Sequence, residues 1–120
     1  MRTLLLAPIV LATASAAFAQ DAVVSPLLKK DLIPTPGQEV TMLTVEYPPG
    51  GSSKSHRHNG QVFVYVLSGT LEMQVEGKPL VTMKRGDSFY EAPEDVHAVS
   101  RNASKTEPAK FLVVLITPKK

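Results

Sequence analysis

Residues 50–69 read GGSSKSHRHNGQVFVYVLSG and carry the strongest structural signal in the chain. This stretch opens with a loop rich in glycine and serine, passes through His56 and His58, and ends in the apolar residues 61–67. Alternate side chains of a β-strand point to the same face, so we expect the two imidazoles to be directed at one point. The chain of 120 residues has 3 histidines, and two of them lie here, which makes this stretch the first candidate for a site.

The sequence on both sides of this stretch predicts an all-β protein. The chain has 10 prolines and 7 glycines, and the segments between them are short and either apolar or alternating. Short strands at regular intervals, separated by turns of this composition, are typical of a β-sandwich or a β-barrel. The predicted strands cover residues 39–47, 61–67, 70–76, 79–84, 87–92, 96–102 and 110–116.

The residues before the first predicted strand form an N-terminal extension, residues 20–38. Within this extension the segment SPLLKKDL, residues 25–32, is compatible with one short helix. Ser25 is suited to the N-cap of such a helix, and Pro26 is suited to its first helical position. The β-domain itself is then expected to cover residues 39–117.

The first 19 residues have the three-part layout of a secretory signal peptide. A positive start, Met1-Arg2, precedes an apolar run, and Ala17-Phe18-Ala19 matches the small-x-small pattern at a cleavage site. A membrane anchor is the alternative, but the apolar part is shorter than the roughly 20 residues needed to span a bilayer. We therefore predict that residues 1–19 are removed, leaving a secreted or periplasmic protein with no membrane association.

Charge and composition narrow the range of partners. The formal net charge is +2, from 13 basic and 11 acidic residues, which is too balanced for a nucleic-acid-binding surface. The chain has no cysteine, so no disulfide contributes to its stability. The strand predicted for residues 61–67 is apolar on both faces, and the run of residues 111–116 is apolar as well. One face of such a strand can fill the interior of a barrel, and the other must be covered by a second sheet or another subunit. We therefore predict a homodimer.

The spacing around the two histidines resembles the first motif of the cupin family. That motif is a glycine, five residues, His-x-His, three or four residues, a glutamate, six residues and a glycine. Gly50, His56, His58, Val62 and Gly69 match this spacing, with a valine where the family has its glutamate. The resemblance extends over about residues 39–116, nearly all of the chain that follows the predicted signal peptide.

A second cupin motif is recognisable further along the chain. His97 lies eleven residues after Gly86, and the second cupin motif places its histidine at the same distance from its glycine. The resemblance implies a small cupin-like barrel, also described as a double-stranded β-helix or jelly roll. In the family the histidines bind a metal inside this barrel. By analogy, His56, His58 and His97 would bind a divalent transition metal such as Fe, Mn, Ni, Cu or Zn.

In the family the glutamate of the first motif also binds the metal, and the valine at position 62 cannot do so. Other residues must therefore be considered for the site. Gln61 is a candidate ligand if the chain kinks at residues 59–60, since an unbroken strand would direct it to the opposite face. Val62, which takes the place of the family's glutamate, is expected to face the site, and Tyr90 and Glu91 are further candidates for lining the pocket. Glu91 is either the partner of a ligand histidine or a surface residue. A barrel that has no metal and keeps its histidines for hydrogen bonding is the alternative.

The resemblance also implies an activity. Related cupins with open metal positions include dioxygenases acting on diketones and flavonols, so an exported non-haem dioxygenase-like enzyme is the leading hypothesis. Three neutral histidines would leave the ion its full charge, which favours a small chelating anion such as an enolate or diketonate as substrate. The alternative is a non-catalytic module that binds a small molecule or a metal.

Overall fold

The structure is a computed structural model that describes residues 22–119, and ten β-strands account for most of them. They are β1 (Val23–Asp31), β2 (Gln38–Tyr47), β3 (Ser52–Ser53), β4 (His56–Arg57), β5 (Gln61–Ser68), β6 (Thr70–Val75), β7 (Val81–Lys84), β8 (Ser88–Glu91), β9 (Val96–Asn102) and β10 (Ala109–Pro118). The predicted all-β fold is confirmed. The signal peptide predicted for residues 1–19 lies outside the described residues. Within these residues no helix could span a bilayer.

The strands form two antiparallel sheets. The first sheet has the order β1-β2-β10-β5-β8. The second has the order β3-β9-β6-β7, and β4 also pairs with β9. Neighbours such as β2 and β10, or β6 and β9, are far apart in the chain, because the chain passes repeatedly from one sheet to the other. This connectivity is that of a jelly roll.

The core lies between the inner faces of the two sheets. On β5 the burial alternates strictly, with Val62, Val64 and Val66 buried and the residues between them exposed. Leu71 and Met73 of β6, in the second sheet, are buried in the same alternating way. Side chains from both sheets form a single apolar cluster. The doubly apolar sequence of β5 therefore contributes one face to the core and leaves the other on the surface.

The N-terminal extension differs from what its sequence predicts. Residues 25–32 do not form a helix, because residues 23–31 are the edge strand β1 and pair antiparallel with β2. Pro26 is tolerated there, since an edge strand has one side without ladder hydrogen bonds, and the register shifts directly after it. The helix signals are local ones. The backbone hydrogen bonds with β2 stabilise the strand more than these local signals stabilise a helix. Part of the extension therefore belongs to the first sheet.

Apolar side chains are exposed on the outer face of the first sheet. Phe63, Tyr65 and Leu67 of β5 are 40%, 47% and 37% exposed. Tyr90 of the neighbouring strand β8 is 47% exposed, and its ring centroid lies 5.2 Å from that of Phe63. The homodimer stays a prediction, and light scattering at micromolar protein concentration would test it.

Gly60 lies where β5 begins beside the end of β10. A Cβ atom added to Gly60 would lie 2.0 Å from the backbone carbonyl oxygen of Ile116 in β10. Non-bonded heavy atoms normally stay at about 3.5 Å or more, so glycine alone fits this position. Because Gly60 follows His58 by two residues, the same close approach helps to fix where the histidine motif meets the first sheet.

We expect Gly60→Ala to lower the free energy of unfolding by at least about 2 kcal/mol, because the added methyl group must push a strand backbone aside. Urea denaturation of the metal-free protein would measure this. Gly77→Ala is the matched control. Gly77 has φ +84° and no atom within 4 Å of its added Cβ, so only the backbone conformation costs energy there, about 1 kcal/mol. Equal losses for the two variants would show that β5 and β10 are not in close contact at Gly60.

Candidate metal centre

The three histidines of the chain meet on the inner side of the second sheet. His56 lies on β4 and is paired directly with His97 on β9. The ring centroids of His56 and His58 are 4.5 Å apart, and those of His56 and His97 are 5.1 Å apart. The convergence expected from the sequence is therefore present. His97 is buried, whereas His56 and His58 are half-buried.

A β-bulge directs His97 to this side. The register between β9 and β6 shifts by one at Gln74 and Val75, which leaves Ala98 without a partner. An extra residue of this kind reverses the alternation of side chains beyond it. His97 and Ser100 are therefore both buried although they are three residues apart. Periodicity in the sequence cannot predict this, because a bulge depends on the pairing with the neighbouring strand.

The carboxylate of the site comes from Glu91 on β8. Glu91 is 2% exposed and is paired directly with Val62 on β5, the residue that stands where cupins have their glutamate. Residues directly opposite each other in an antiparallel pair have Cβ atoms about 5 Å apart on the same face. A carboxylate is thus present close to the expected place, but it is carried by the adjacent strand.

Glu91 joins two of the histidines in a group that could hold a metal ion. His56, His58 and Glu91 each offer one ligand atom, and these atoms all lie within 4.8 Å of one another. His97 is not part of this group. Its Nδ1 lies 2.5 Å from Oε1 of Glu91, so it contacts the carboxylate instead. This candidate group combines two histidines with a carboxylate, and the predicted ligand role of His97 stays a prediction.

Buried polar atoms without hydrogen bonds test whether the residues fit a metal. Among the described residues, Oε2 of Glu91 and Nε2 of His97 are buried without a hydrogen-bond partner, and Nδ1 of His97 is the one polar contact of Oε1 of Glu91. Leaving such atoms unpaired costs about 1–3 kcal/mol each, and more for a charged group. A divalent cation would compensate the carboxylate, so the residues fit one.

The electrostatic surroundings keep His58 in the form that binds metals. Burial lowers the pKa of His58 below its ordinary value, and the nearby ring of His56 lowers this pKa further. Glu91 acts in the opposite direction, and His97 lowers the pKa again. The His58 imidazole is therefore neutral at neutral pH, which is the state required of a metal ligand.

The lowered pKa of His58 predicts that the metal-free protein loses stability in mild acid. Below about pH 6.5 the unfolded chain takes up a proton at residue 58 before the folded chain does, so the free energy of unfolding falls. Urea denaturation at about pH 7.5 and about pH 5.5 would measure this fall. We expect a smaller fall for His58→Asn, which cannot titrate. Arg57→Gln, which changes an exposed residue next to His58, is the control and should show the same fall as the wild type. An equal fall in His58→Asn and the wild type would contradict the assignment.

The metal-binding group faces a cavity of about 460 Å³ between the two sheets. Val62, predicted to face the site, lines this cavity together with the three histidines and Glu91. Most of the remaining wall is apolar and comes from the first sheet, namely from Leu43, Val45, Val64, Phe111, Val113 and Leu115. A small molecule bound there would be largely shielded from water, as in most ligand sites of proteins.

Two of the candidate residues do not reach the cavity. Gln61 is exposed on β5, because no kink at residues 59–60 reverses the alternation that buries Val62. Tyr90 is exposed on the outer face of β8, where it lies beside Phe63. The structure thus separates Glu91 from its neighbour Tyr90, since adjacent residues of a strand point to opposite faces.

Comparison with protein families agrees with this architecture. The family model of the cupin domain matches residues 43–115. The chain therefore belongs to the cupin family, as its two motifs indicated. A search of curated protein sequences gave no match.

Solved structures with the same fold have diverse descriptions. The cupin domain of an XRE family transcriptional regulator from Enterobacter cloacae is 27% identical, with a TM-score of 0.62 over 84% of this chain and 100% of that one. A cupin-like protein from Thermotoga maritima is 25% identical, with a TM-score of 0.64 over 80% of this chain and 68% of that one.

An enzyme is also among these similar structures. The DMSP lyase DddQ from Ruegeria pomeroyi is 24% identical, with a TM-score of 0.57 over 63% of this chain. This chain spans 37% of the length of that lyase. At this level of identity the likeness shows the fold alone.

Proposed function

We propose that this protein is a metal-dependent enzyme of the non-haem dioxygenase type that acts on a small chelating anion. The observation that carries the proposal is the group of two imidazoles and one carboxylate, His56, His58 and Glu91, at the wall of an apolar cavity. Two histidines and one carboxylate that leave coordination positions open are typical of non-haem Fe(II) oxygenases. Fe(II) is therefore the ion we favour among Fe, Mn, Ni, Cu and Zn.

Each residue of the group has a separate task. His56 and His58 would provide neutral nitrogen ligands to a bound metal, and Glu91 would provide a charged oxygen ligand. His97 contacts the Glu91 carboxylate and holds it towards the cavity, so it is a positioning residue. A bound ferrous ion would supply coordination of the two substrate oxygens and the electrons that activate dioxygen. The apolar wall excludes water from the substrate.

The charge of Glu91 determines which substrate the site prefers. Three neutral ligands would have left the ion both units of its positive charge, but the carboxylate cancels one of them. A chelating anion with a single negative charge, such as an enolate or diketonate, then makes the whole site neutral. In a cavity of low dielectric constant this neutralisation contributes more to the free energy of binding than it would in water. Dianions and neutral ketones should bind less tightly.

Anaerobic titration of the Fe(II)-loaded protein with acetylacetonate tests this function. We expect a charge-transfer absorption band, followed by oxygen uptake when air is admitted. His56→Ala should show neither. Arg57→Ala, which changes the exposed residue between the two histidines, should behave like the wild type. A band without oxygen uptake would support the non-catalytic binding module. No band in the wild type would contradict the metal site itself.

Export is part of the proposal, and it is supported by the sequence pattern of residues 1–19. Mass spectrometry of the protein from its native cells should find an N-terminus at about Gln20 or Asp21. A mature protein that still carries Met1 would contradict export by this route.

A further inference from the structure

A second group of polar side chains lines the same cavity, and the proposed function does not use it. Tyr47 of β2, Ser53 of β3 and Ser100 of β9 bring their three hydroxyl groups together, and we call them the hydroxyl cluster. Oη of Tyr47 lies 2.8 Å from Oγ of Ser100 and also contacts Oγ of Ser53. Tyr47 is 1% exposed and Ser100 is 4% exposed.

The hydroxyl cluster has one proton more than its own contacts use. Each hydroxyl group carries one donor proton, so the cluster has three protons for its two oxygen-to-oxygen contacts. The hydrogen bonds of the described residues include no acceptor for the third proton. Ser53 is only half-buried and can direct this proton to water or to a ligand in the cavity, so the hydroxyl cluster is able to donate one hydrogen bond.

The pairing of the strands sets the distance between the hydroxyl cluster and the metal-binding group. Ser53 is paired with Ser100, and His56 is paired with His97. The two pairs are three residues apart on both strands, which corresponds to roughly 10 Å along the strands. Apart from these two groups, most of the cavity wall is apolar. A ligand that touches both groups is therefore elongated, with an apolar middle and a polar group at each end.

We infer that the hydroxyl cluster is a recognition site for an uncharged acceptor oxygen of the cavity ligand, such as a ketone carbonyl. The other end of that ligand is the chelating anion, and this part of the inference rests on the proposed function. The hydroxyl cluster carries no charge, and Lys54, the one lysine or arginine among the described residues that line the cavity, is exposed to solvent. A carboxylate would lose its hydration there without a buried positive charge, whereas a carbonyl needs only the spare proton.

A tie between the two sheets is the other role that the hydroxyl cluster could have. Tyr47 belongs to the first sheet, and the two serines belong to the second. Such a tie would explain the two contacts, but it makes no use of the third proton. The two roles differ in their effect on ligands, because only a recognition site distinguishes a carbonyl oxygen from a methyl group of the same size.

A matched pair of ligands with a triple variant tests the inference. The ligands are para-acetylbenzoylacetone and para-isopropylbenzoylacetone, which differ in a carbonyl oxygen against a methyl group. The variant is Tyr47→Phe with Ser53→Ala and Ser100→Ala, since removal of one hydroxyl leaves a spare proton on the others. We expect the preference of the Fe(II)-loaded protein for the acetyl ligand to be about threefold to tenfold greater in the wild type than in the variant. Tyr65→Phe, on the outer face, should keep the wild-type preference.

The same preference in the wild type and the triple variant would overturn the inference while leaving the metal site intact. If neither diketonate binds, the proposed function fails. The hydroxyl cluster is then tested in the metal-free protein, by comparing the affinities for acetophenone and isopropylbenzene. If the triple variant does not fold, infrared spectroscopy of the wild type decides. The acetyl carbonyl, labelled with carbon-13, should absorb at a lower frequency than in an apolar solvent, and an unshifted band would overturn the inference.

Discussion

Replacing Glu91 with glutamine should weaken the binding of Fe(II) or Mn(II) by on the order of 100-fold or more. Glutamine keeps the shape of the side chain and removes the charge of the one carboxylate in the group with His56 and His58. Loss of a residue that only orients a ligand costs about 10- to 100-fold in affinity, and loss of a charged ligand should cost at least as much. Competition with a chromophoric chelator would measure the affinity.

Glu94→Gln is the matched control for this experiment. Glu94 follows Glu91 by three residues and is exposed in the turn after β8, so the same chemical change there should leave metal affinity unaltered. His97→Ala shows whether His97 is itself a metal ligand or only positions the Glu91 carboxylate. If His97 only positions Glu91, its loss should cost less than that of Glu91. Unaltered affinity in Glu91→Gln would exclude the carboxylate as a ligand and restore the three histidines as the ligand set.

Exchanging Val62 and Glu91 should recover most of the metal affinity that Glu91→Val alone loses. The two residues are directly opposite each other on β5 and β8, and both line the cavity. A carboxylate on either strand can therefore reach an ion held by the histidines, since the Cβ atoms of such a pair are about 5 Å apart. We expect the double variant, Val62→Glu with Glu91→Val, to bind Mn(II) within about tenfold of the wild type, and Glu91→Val to bind it at least about 100-fold more weakly.

Val62→Glu alone provides a second measurement of the same geometry. Val62 is 2% exposed, so this variant buries a second carboxylate opposite the first. The metal-free variant should lose several kcal/mol of stability, because two like charges then lie in a cavity with little water. Adding Mn(II) should restore its melting temperature by more than it raises that of the wild type. A double variant that binds no better than Glu91→Val would show that residues 62 and 91 do not face one site.

Much of the fold follows from local patterns. Strand β5 is recognisable from its apolar run, and β6 from its strict alternation, because burial of one strand face requires a period of two. The convergence of His56 and His58 follows from the same period. The spacing of Gly86 and His97 matches the second cupin motif, and this match predicted that His97 lies near His56 and His58. These features depend on residues that are close in the sequence, so they can be predicted without knowledge of the fold.

Other features depend on pairing between strands that are distant in the sequence. Segment 25–32 carries local helix signals, yet it becomes a strand because β2 has an unpaired edge. His97 faces the site because of an unpaired residue in β9, and the alternation in sequence would have directed it differently. Glu91 became a candidate ligand through its position opposite Val62, which is set by the register between β5 and β8. A register is chosen by the burial of whole strands, and no single stretch of sequence contains it.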